Sequence, residues 1–434
     1  MTFIFAYTVF IGTMAVSLFR PWMGIVVYYL LAIWSPISIW PWIFGQFRVS
    51  YYIALSIMVG FVWAALSGRI NFSALRNRQN LFVLVLWASF IVSYFFNLYG
   101  IDTMRAGIED PDYLVSNMSK VFLFYFVTIL SIDNKQKLHF LIWVILFTAI
   151  HFTYWGNMEY LEGRMMGLHH TLMGPGYKYV VSVWVDENTF ALFFVVAIPF
   201  LYFMGNYYKN WVLKGLLWLT IPFAWHCIFL TASRGGMLGL FVVTLYIIIR
   251  SRSKLFSAVI PALLIIAIIY QSGQVLKMRA ESAINVEEDA SAQNRFNSWE
   301  AGIKMMLDQP ITGVGIGNFT KAYPDYSDTA VFVAHNTIIQ LGAETGIVSA
   351  IMYLILCFGI FLNTFRNIRS HPLNIDPFYL AVKDSIAGGL VGFFVCSIFL
   401  NLGTYEIFYY ILILNLVQKK LTEIALSNTN SNLS

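Results

Sequence analysis

The chain has 434 residues, of which 59% are hydrophobic, 18% aromatic and only 11% charged. A soluble globular domain carries about 25% charged residues, so this composition excludes an ordinary soluble domain. The formal net charge of +5 resides mostly in short clusters between apolar runs, a pattern that orients membrane proteins and gives no ground for a nucleic-acid partner.

In chain order, apolar runs fall at about 2–18, 21–36, 50–67, 81–98, 119–132, 138–154, 188–204, 211–231, 235–250, 255–271, 337–363, 379–400 and 404–417. Runs long enough to cross about 30 Å of hydrocarbon, repeated from end to end, predict an all-α polytopic transmembrane bundle of twelve or thirteen helices. We read 1–434 as a single transmembrane unit without internal repeats. Residues 2–18 lack a basic leader and a small-residue cleavage site, and are expected to be a retained first helix. The first two runs are short and meet at Arg20-Pro21, and PISIWPWIFG reads equally as a re-entrant segment. The polar tail SNTNSNLS is expected to be disordered.

Basic clusters fall at Arg69/Arg76/Arg78, Lys135/Lys137, Lys209/Lys214, Arg250/Arg252/Lys254, Arg366/Arg369 and Lys419/Lys420. Each lies two spans beyond the one before, so all fall on one side, which the positive-inside rule makes the cytoplasm. The opposite side receives loops near 99–118, 155–187, 232–234, 272–336 and 401–403. The 272–336 loop is the largest, and structureless connections beyond about 15 residues are uncommon. Its first part, AESAINVEEDASAQNR, is polar and acidic. In FNSWEAGIKMMLDQP, by contrast, Phe296, Trp299, Ile303 and Met306 recur at helical spacing until Pro310. We expect this helix to lie along the outer membrane–water boundary.

Three outer-face positions carry candidate chemistry: Arg234 in TASRGG, Arg295 in QNRFNSW, and His335 in AHNTIIQ. Arginines suit bidentate phosphate binding, and histidine suits proton removal near neutral pH. Each also has a plainer reading: a snorkelling helix end for Arg234, a solvated helix face for Arg295, and a helix-start histidine for His335. Either Asn336 or Thr337 would serve as the N-cap. Asn336, Gln340 and Glu344 recur every four residues, a polar stripe in an apolar helix. Intramembrane carboxylates face the bundle interior and find partners. We expect Glu344 either to hold Arg234, to orient groups near His335, or to make a purely structural contact.

Asp186, Glu187 and Asn188 open a span and would complement its N-terminal dipole. Arg164, His169, His170 and Lys178 populate the loop before it and are candidates for an anionic-lipid site; the bare His169-His170 pair lacks metal-ligand spacing. His151 and His226 are read as satisfied core histidines. Cys227, Cys357 and Cys396 lie in apolar runs without a CxxC pair and are read as buried thiols. GVGIGNF at 313–319 is glycine-rich but neither follows a strand nor opens a helix by its sequence, so it is read as a turn or close-approach segment, not a dinucleotide loop. No metal or cofactor is expected.

The ordered set TASRGG, NRFNSWEAGIKMMLDQPITGVGIGNF and AHNTIIQLGAETG resembles the O-antigen ligase/polymerase superfamily. There, R-x-x-x-W-x-x-A, P-x-x-G-x-G-x-G-x-F and H-N-x-x-L/Q-x-x-x-E-x-G elements occur in this order. DENTFALFF resembles a further element, with Glu187 in place of its usual proline. The motifs span about 186–346, and the aromatic-rich N-terminal portion looks most like the O-glycosylation ligases associated with exosortase systems. The resemblance implies a metal-independent, inverting, GT-C-like glycosyltransferase of the bacterial inner membrane with its site on the periplasmic side. The implied donor is a glycan on undecaprenyl diphosphate, and the implied acceptor is a hydroxyl of a protein, lipid or polysaccharide. Carried over by motif, Arg234 and Arg295 would bind the diphosphate and His335 would be the base. Asn336, Glu344, Arg164, Lys178, Glu187 and Asn188 would line the substrate. A polysaccharide polymerase is the alternative within the class, and a lipid-linked oligosaccharide flippase is the alternative outside it.

Overall fold

The computed structural model describes residues 2–44, 49–100, 110–165, 170–176, 184–251, 290–366 and 375–431. They form helices α1 (Thr2–Phe19), α2 (Pro21–Trp34), α3 (Pro36–Ile39), α4 (Pro41–Phe44), α5 (Val49–Leu66), α6 (Arg78–Phe95), α7 (Pro111–Ser131), α8 (Lys135–Leu161), α9 (Glu187–Tyr207), α10 (Trp211–Leu230) and α11 (Arg234–Arg250). After a gap come α12 (Ala290–Asp308), α13 (Phe319–Ala322), α14 (Thr337–Thr345), α15 (Ile347–Arg366), α16 (Pro377–Ser397) and α17 (Glu406–Ser431). No strand occurs among the described residues, and seven of these helices are long and apolar enough to cross a membrane. The protein is an all-α, multi-pass helical bundle. The span expected at 255–271 and the acidic start of the large loop lie outside the described residues.

The bundle is built around α9, whose apolar side chains are buried on every face. A helix hydrophobic all round belongs in the middle of a larger body, and α8, α10, α11 and α16 pack against it. Glycines allow the closest approach: a Cβ on Gly392 of α16 would meet Val195 Cγ1 at 2.6 Å and Val243 Cγ2 at 2.7 Å. Contacts between helix ends fall into two groups, one at each end of the bundle. At the basic end Lys135 pairs with Asp376 at 2.5 Å and Arg250 with Asp384 at 2.5 Å. There too Lys420 donates to the carbonyls of Ile129 and Ile132 at the end of α7, where a cation suits the helix dipole. At the opposite end Asn318 bonds Asn97, Ser233 bonds Asn188, and Thr337 bonds the Leu400 carbonyl.

Several boundaries differ from the expectations. The apolar run 337–363 is two helices, because Gly346 has φ 85° and ψ 163°, a conformation open essentially to glycine alone. A Cβ there would lie 2.2 Å from the Ile311 carbonyl oxygen, and Ile347 N–H donates to Pro310 O at 2.9 Å. The loop chain thus occupies the break. Residues 111–118, expected in a loop, are the first turns of α7, capped by Asp110, which accepts from Asp112 N–H. PISIWPWIFG forms the single turns α3 and α4, each opened by proline, up to Phe44. The polar tail continues α17 to Ser431 instead of leaving the helix.

α12 is the helix expected in the large loop, and it ends at Asp308, just before Pro310. Its outward stripe is shifted from the expected one. Phe296, Ile303, Leu307 and Ile311 are exposed, whereas Trp299 donates to Ala334 O and Met306 abuts Gly342. The inward face, with Ala301 and Met305, joins Val314, Phe319, Tyr323, Ala334 and Ala343 in a small core of its own. The cysteines are buried free thiols, and His151 and His226 are bonded by Trp34 and Asn157, all as expected.

Because Gly392 leaves no room for a side chain between α9 and α11, overpacking there should cost about 1–3 kcal/mol. Gly392→Val is expected to lower the thermal unfolding midpoint of the detergent-solubilised protein, measured beside Gly359→Ala, where a Cβ meets open space.

Candidate active site

His335 lies in the short segment that leads into α14. Its backbone is left-handed, with φ 46°, and it precedes the N-cap residue Asn336. The same arrangement recurs at α11, where Ala232 has φ 51° and precedes the N-cap Ser233. Non-glycine residues there are held at a cost of order 1–3 kcal/mol and persist only where surrounding contacts fix them. Around His335 those contacts are evident. Ala334 O accepts from Trp299 Nε1 at 2.8 Å, and Ala334 N–H donates to Gln340 Oε1 at 3.1 Å. Asn336 N–H donates to Asn401 Oδ1 at 3.1 Å, while its own Oδ1 accepts from the N–H groups of Ile338 and Ile339. Asn336, not Thr337, is therefore the cap.

Trp299 and Arg295 are one turn apart on α12, so the bond from Trp299 to Ala334 brings Arg295 beside His335. Asn294, Arg295, Phe332 and His335 line one cavity of about 240 Å³. Burial lowers the pKa of His335 below the ordinary imidazole value, Arg295 lowers it further, and Asp186 opposes both. The imidazole is thus neutral at pH 7, the form that accepts a proton.

Asp186 caps α9, accepting from the N–H groups of Asn188 and Thr189, as expected of an acid at a helix start. Its electrostatic reach to His335 is what the sequence reading missed. The only sign in the sequence was its place in DENTF, on the same predicted side as His335. Asn188 Oδ1 accepts from Ser233 Oγ at 2.7 Å, which joins the start of α9 to the start of α11 and Arg234. Arg234 is exposed in the first turn of α11, which holds no acidic residue. A cation has the wrong sign for a helix N-terminus, so its position does not serve helix stability. Glu187 is half-buried as the first residue of α9.

Glu344 is buried, and Oε1 accepts from Gln340 Nε2 at 2.6 Å and from Phe319 N–H at 3.3 Å. Through Gln340 it reaches Ala334, next to His335. Gly313, Gly315 and Gly317 all have positive φ, and Gly313 packs on the Glu344 backbone too closely for a Cβ. GVGIGNF therefore makes its close approach to protein backbone, and the single turn α13 does open behind it, contrary to the expectation that no helix would. Arg164 is held by Glu159 at 2.8 Å and by Glu162 at the end of α8. His169 and Lys178 lie outside the described residues.

The fold and this cluster define a multi-pass membrane protein with arginine, histidine and carboxylate groups at the end opposite Lys135, Arg250 and Lys420. Residues 215–354, which include Arg234, Arg295, His335 and Glu344, match the family described as O-Antigen ligase. The matched segment contains most of the residues that carry the motif resemblance, and the two point to the same family. It is also similar to the "Teichuronic acid biosynthesis protein TuaE" of Bacillus subtilis (strain 168), 22% identical over 328 residues, 71% of this chain. The aligned segment spans 66% of that relative's length.

The opposed influences on His335 give signed expectations. Its labelling by diethyl pyrocarbonate, which requires neutral imidazole, should titrate with a midpoint below the ordinary histidine value of about 6.5. Arg295→Gln removes a cation and should move that midpoint up; Asp186→Asn removes an anion and should move it down. Peptide mass spectrometry across pH 5–8 measures all three.

Proposed function

We propose that the protein transfers a glycan from undecaprenyl diphosphate to a hydroxyl acceptor at the end of the bundle opposite the basic clusters. If those clusters are cytoplasmic by the positive-inside rule, that end faces the periplasm across the inner membrane. The observation that carries the reading is the shared cavity of His335 and Arg295, with the histidine held in its basic, neutral form.

In this reading His335 takes the proton of the acceptor hydroxyl as its oxygen attacks the anomeric carbon. The bond from that carbon to the diphosphate oxygen breaks, and undecaprenyl diphosphate leaves with the electron pair. Attack opposite the leaving group inverts the anomeric carbon. Arg234 and Arg295 neutralise the developing charge, so the chain's own guanidinium groups do the work of charge stabilisation. Asn336 and Glu344 act by fixing the His335 segment, and Glu187 and Asn188 by shaping the start of α9. Arg164 and Lys178 would add to the binding of the anionic lipid.

The relative named for teichuronic acid biosynthesis supports a second reading within the class, in which the acceptor is another lipid-linked repeat and the product a polymer. Incubation of purified protein with an undecaprenyl-diphosphate glycan and candidate acceptors separates the two by product and by released carrier. General-base catalysis contributes about 10²–10⁴-fold, so His335→Ala should lose at least about 100-fold in transfer rate. Wild-type rates in that variant would remove His335 from the chemistry. Undiminished donor retention by Arg234→Ala and Arg295→Ala would remove the phosphate clamp. Movement of intact donor across vesicles without transfer would support a flippase instead.

A further inference from the structure

A second cavity, of about 650 Å³, lies among α2, α5, α7 and the turns α3 and α4. Its lining includes Tyr28, Phe44, Tyr51, Met58, Asn117 and Lys120. None of the elements around it carries a residue of the proposed transfer site. Its size falls within the range of about 300–1,000 Å³ typical of ligand pockets. Tyr51 and Leu55 at its margin are exposed on α5, most of whose surface is unburied and apolar, so the cavity opens sideways toward lipid.

Lys120 is what sets this cavity apart. It sits on a helix apolar enough to span a membrane, about 14 Å from Pro111 and about 17 Å from Ser131 at 1.5 Å per residue. A charged residue at that depth is costly and is ordinarily paired. Among the described residues, neither the Lys120 ammonium nor the Asn117 side-chain amide has a hydrogen-bonding or ionic partner. Asn117, Lys120 and Phe124 follow helical spacing on one face of α7, and all three line the cavity. Phe124 stacks on Tyr28 with ring centroids 4.2 Å apart. One wall is thus a cation beside an amide, and the rest is aromatic and aliphatic.

The geometry points to a binding site for a phosphate-bearing membrane lipid, its phosphate on Lys120 and Asn117 and its chain along the apolar wall. The phosphate supplies the counter-charge that the Lys120 ammonium lacks, and the Asn117 amide donates a second hydrogen bond. A polyprenyl phosphate and an anionic phospholipid share this chemistry. The site is independent of the His335 cavity, so it stands or falls separately from the transfer reaction.

The full chain in nanodiscs, or in mild detergent with added lipid, provides the test. C55 polyprenyl monophosphate, phosphatidylglycerol and uncharged diacylglycerol are supplied as separate probes, and retained lipid is read by native mass spectrometry. Lys120→Met keeps the length of the side chain and removes its charge, which should weaken retention of the phosphate lipid at least about tenfold. Lys120→Arg should restore it, and the Arg234→Ala/Arg295→Ala double variant should retain it. Preference for the polyprenyl phosphate assigns a carrier lipid; preference for phosphatidylglycerol assigns a bulk phospholipid; both support the site. Equal retention of phosphate lipid by wild type and Lys120→Met, or equal retention of diacylglycerol by wild type, overturns it, leaving Lys120 as a snorkelling side chain. A photo-crosslinking residue at Tyr51, in the otherwise unchanged chain, should capture the lipid, and its failure to do so would count equally against the site.

Discussion

The arrangement of the candidate site rests on one buried residue that bonds through both side chain and backbone. The Glu344 carboxylate accepts from Gln340 and from the Phe319 N–H. Its backbone carbonyl accepts from Ser93 Oγ at 2.6 Å and from Gly315 N–H at 3.1 Å. One residue thereby joins α6, the glycine-rich turn, α14 and, through Gln340, the segment that holds His335. A carboxylate out of water is tolerated only where donors surround it. The partners cannot drift apart without stranding it, so the surrounding segments move as a unit or not at all. The glycines on this residue follow from the same constraint, because a donor loop must come within touching distance of the Glu344 backbone.

Above this hub, the electrostatics of His335 come from three separate parts of the chain. Arg295 arrives on α12, Asp186 on the cap of α9, and the histidine itself on a left-handed residue before α14. The cation and burial act in one direction and the anion in the other. A group balanced this way responds to small displacements of either neighbour. Binding of an anionic substrate near Arg295 would offset the guanidinium charge and make the imidazole a stronger base at the moment it is needed. The backbone strain at Ala232 and His335 has a related meaning, since both residues lead into helices whose first turns face the same end of the bundle.

Much of this was legible in the sequence because the membrane imposes simple rules. Among the described residues the apolar runs became helices, and Lys135, Arg250 and Lys420 gathered at one end of the bundle. Arg295 and His335, about forty residues apart, were read as parts of one large loop, and both line one cavity. What escaped the reading depended on local backbone geometry or on contacts distant in sequence. Hydropathy passes smoothly across Gly346, whereas a positive φ and an intruding Pro310 carbonyl break the helix there. Trp299 and Met306 are as apolar as Phe296 and Ile303. They turn inward because α14 and the Ala334 carbonyl lie on that side, a fact of tertiary packing. Asp186 looks like any other helix cap until the histidine 149 positions later in the chain is brought within its field.

The exposed stripe of Phe296, Ile303 and Leu307 on α12 has a consequence for the whole molecule. An amphipathic helix of this kind settles where hydrocarbon gives way to head groups. Its opposite face is locked by Trp299 to the backbone beside His335. The stripe therefore works as a waterline: it would hold His335 at one fixed height above the acyl chains. For the transfer proposed above, bilayer thickness then becomes a variable, since a thinner or thicker membrane would raise or lower a lipid-borne phosphate relative to a histidine that floats with the surface.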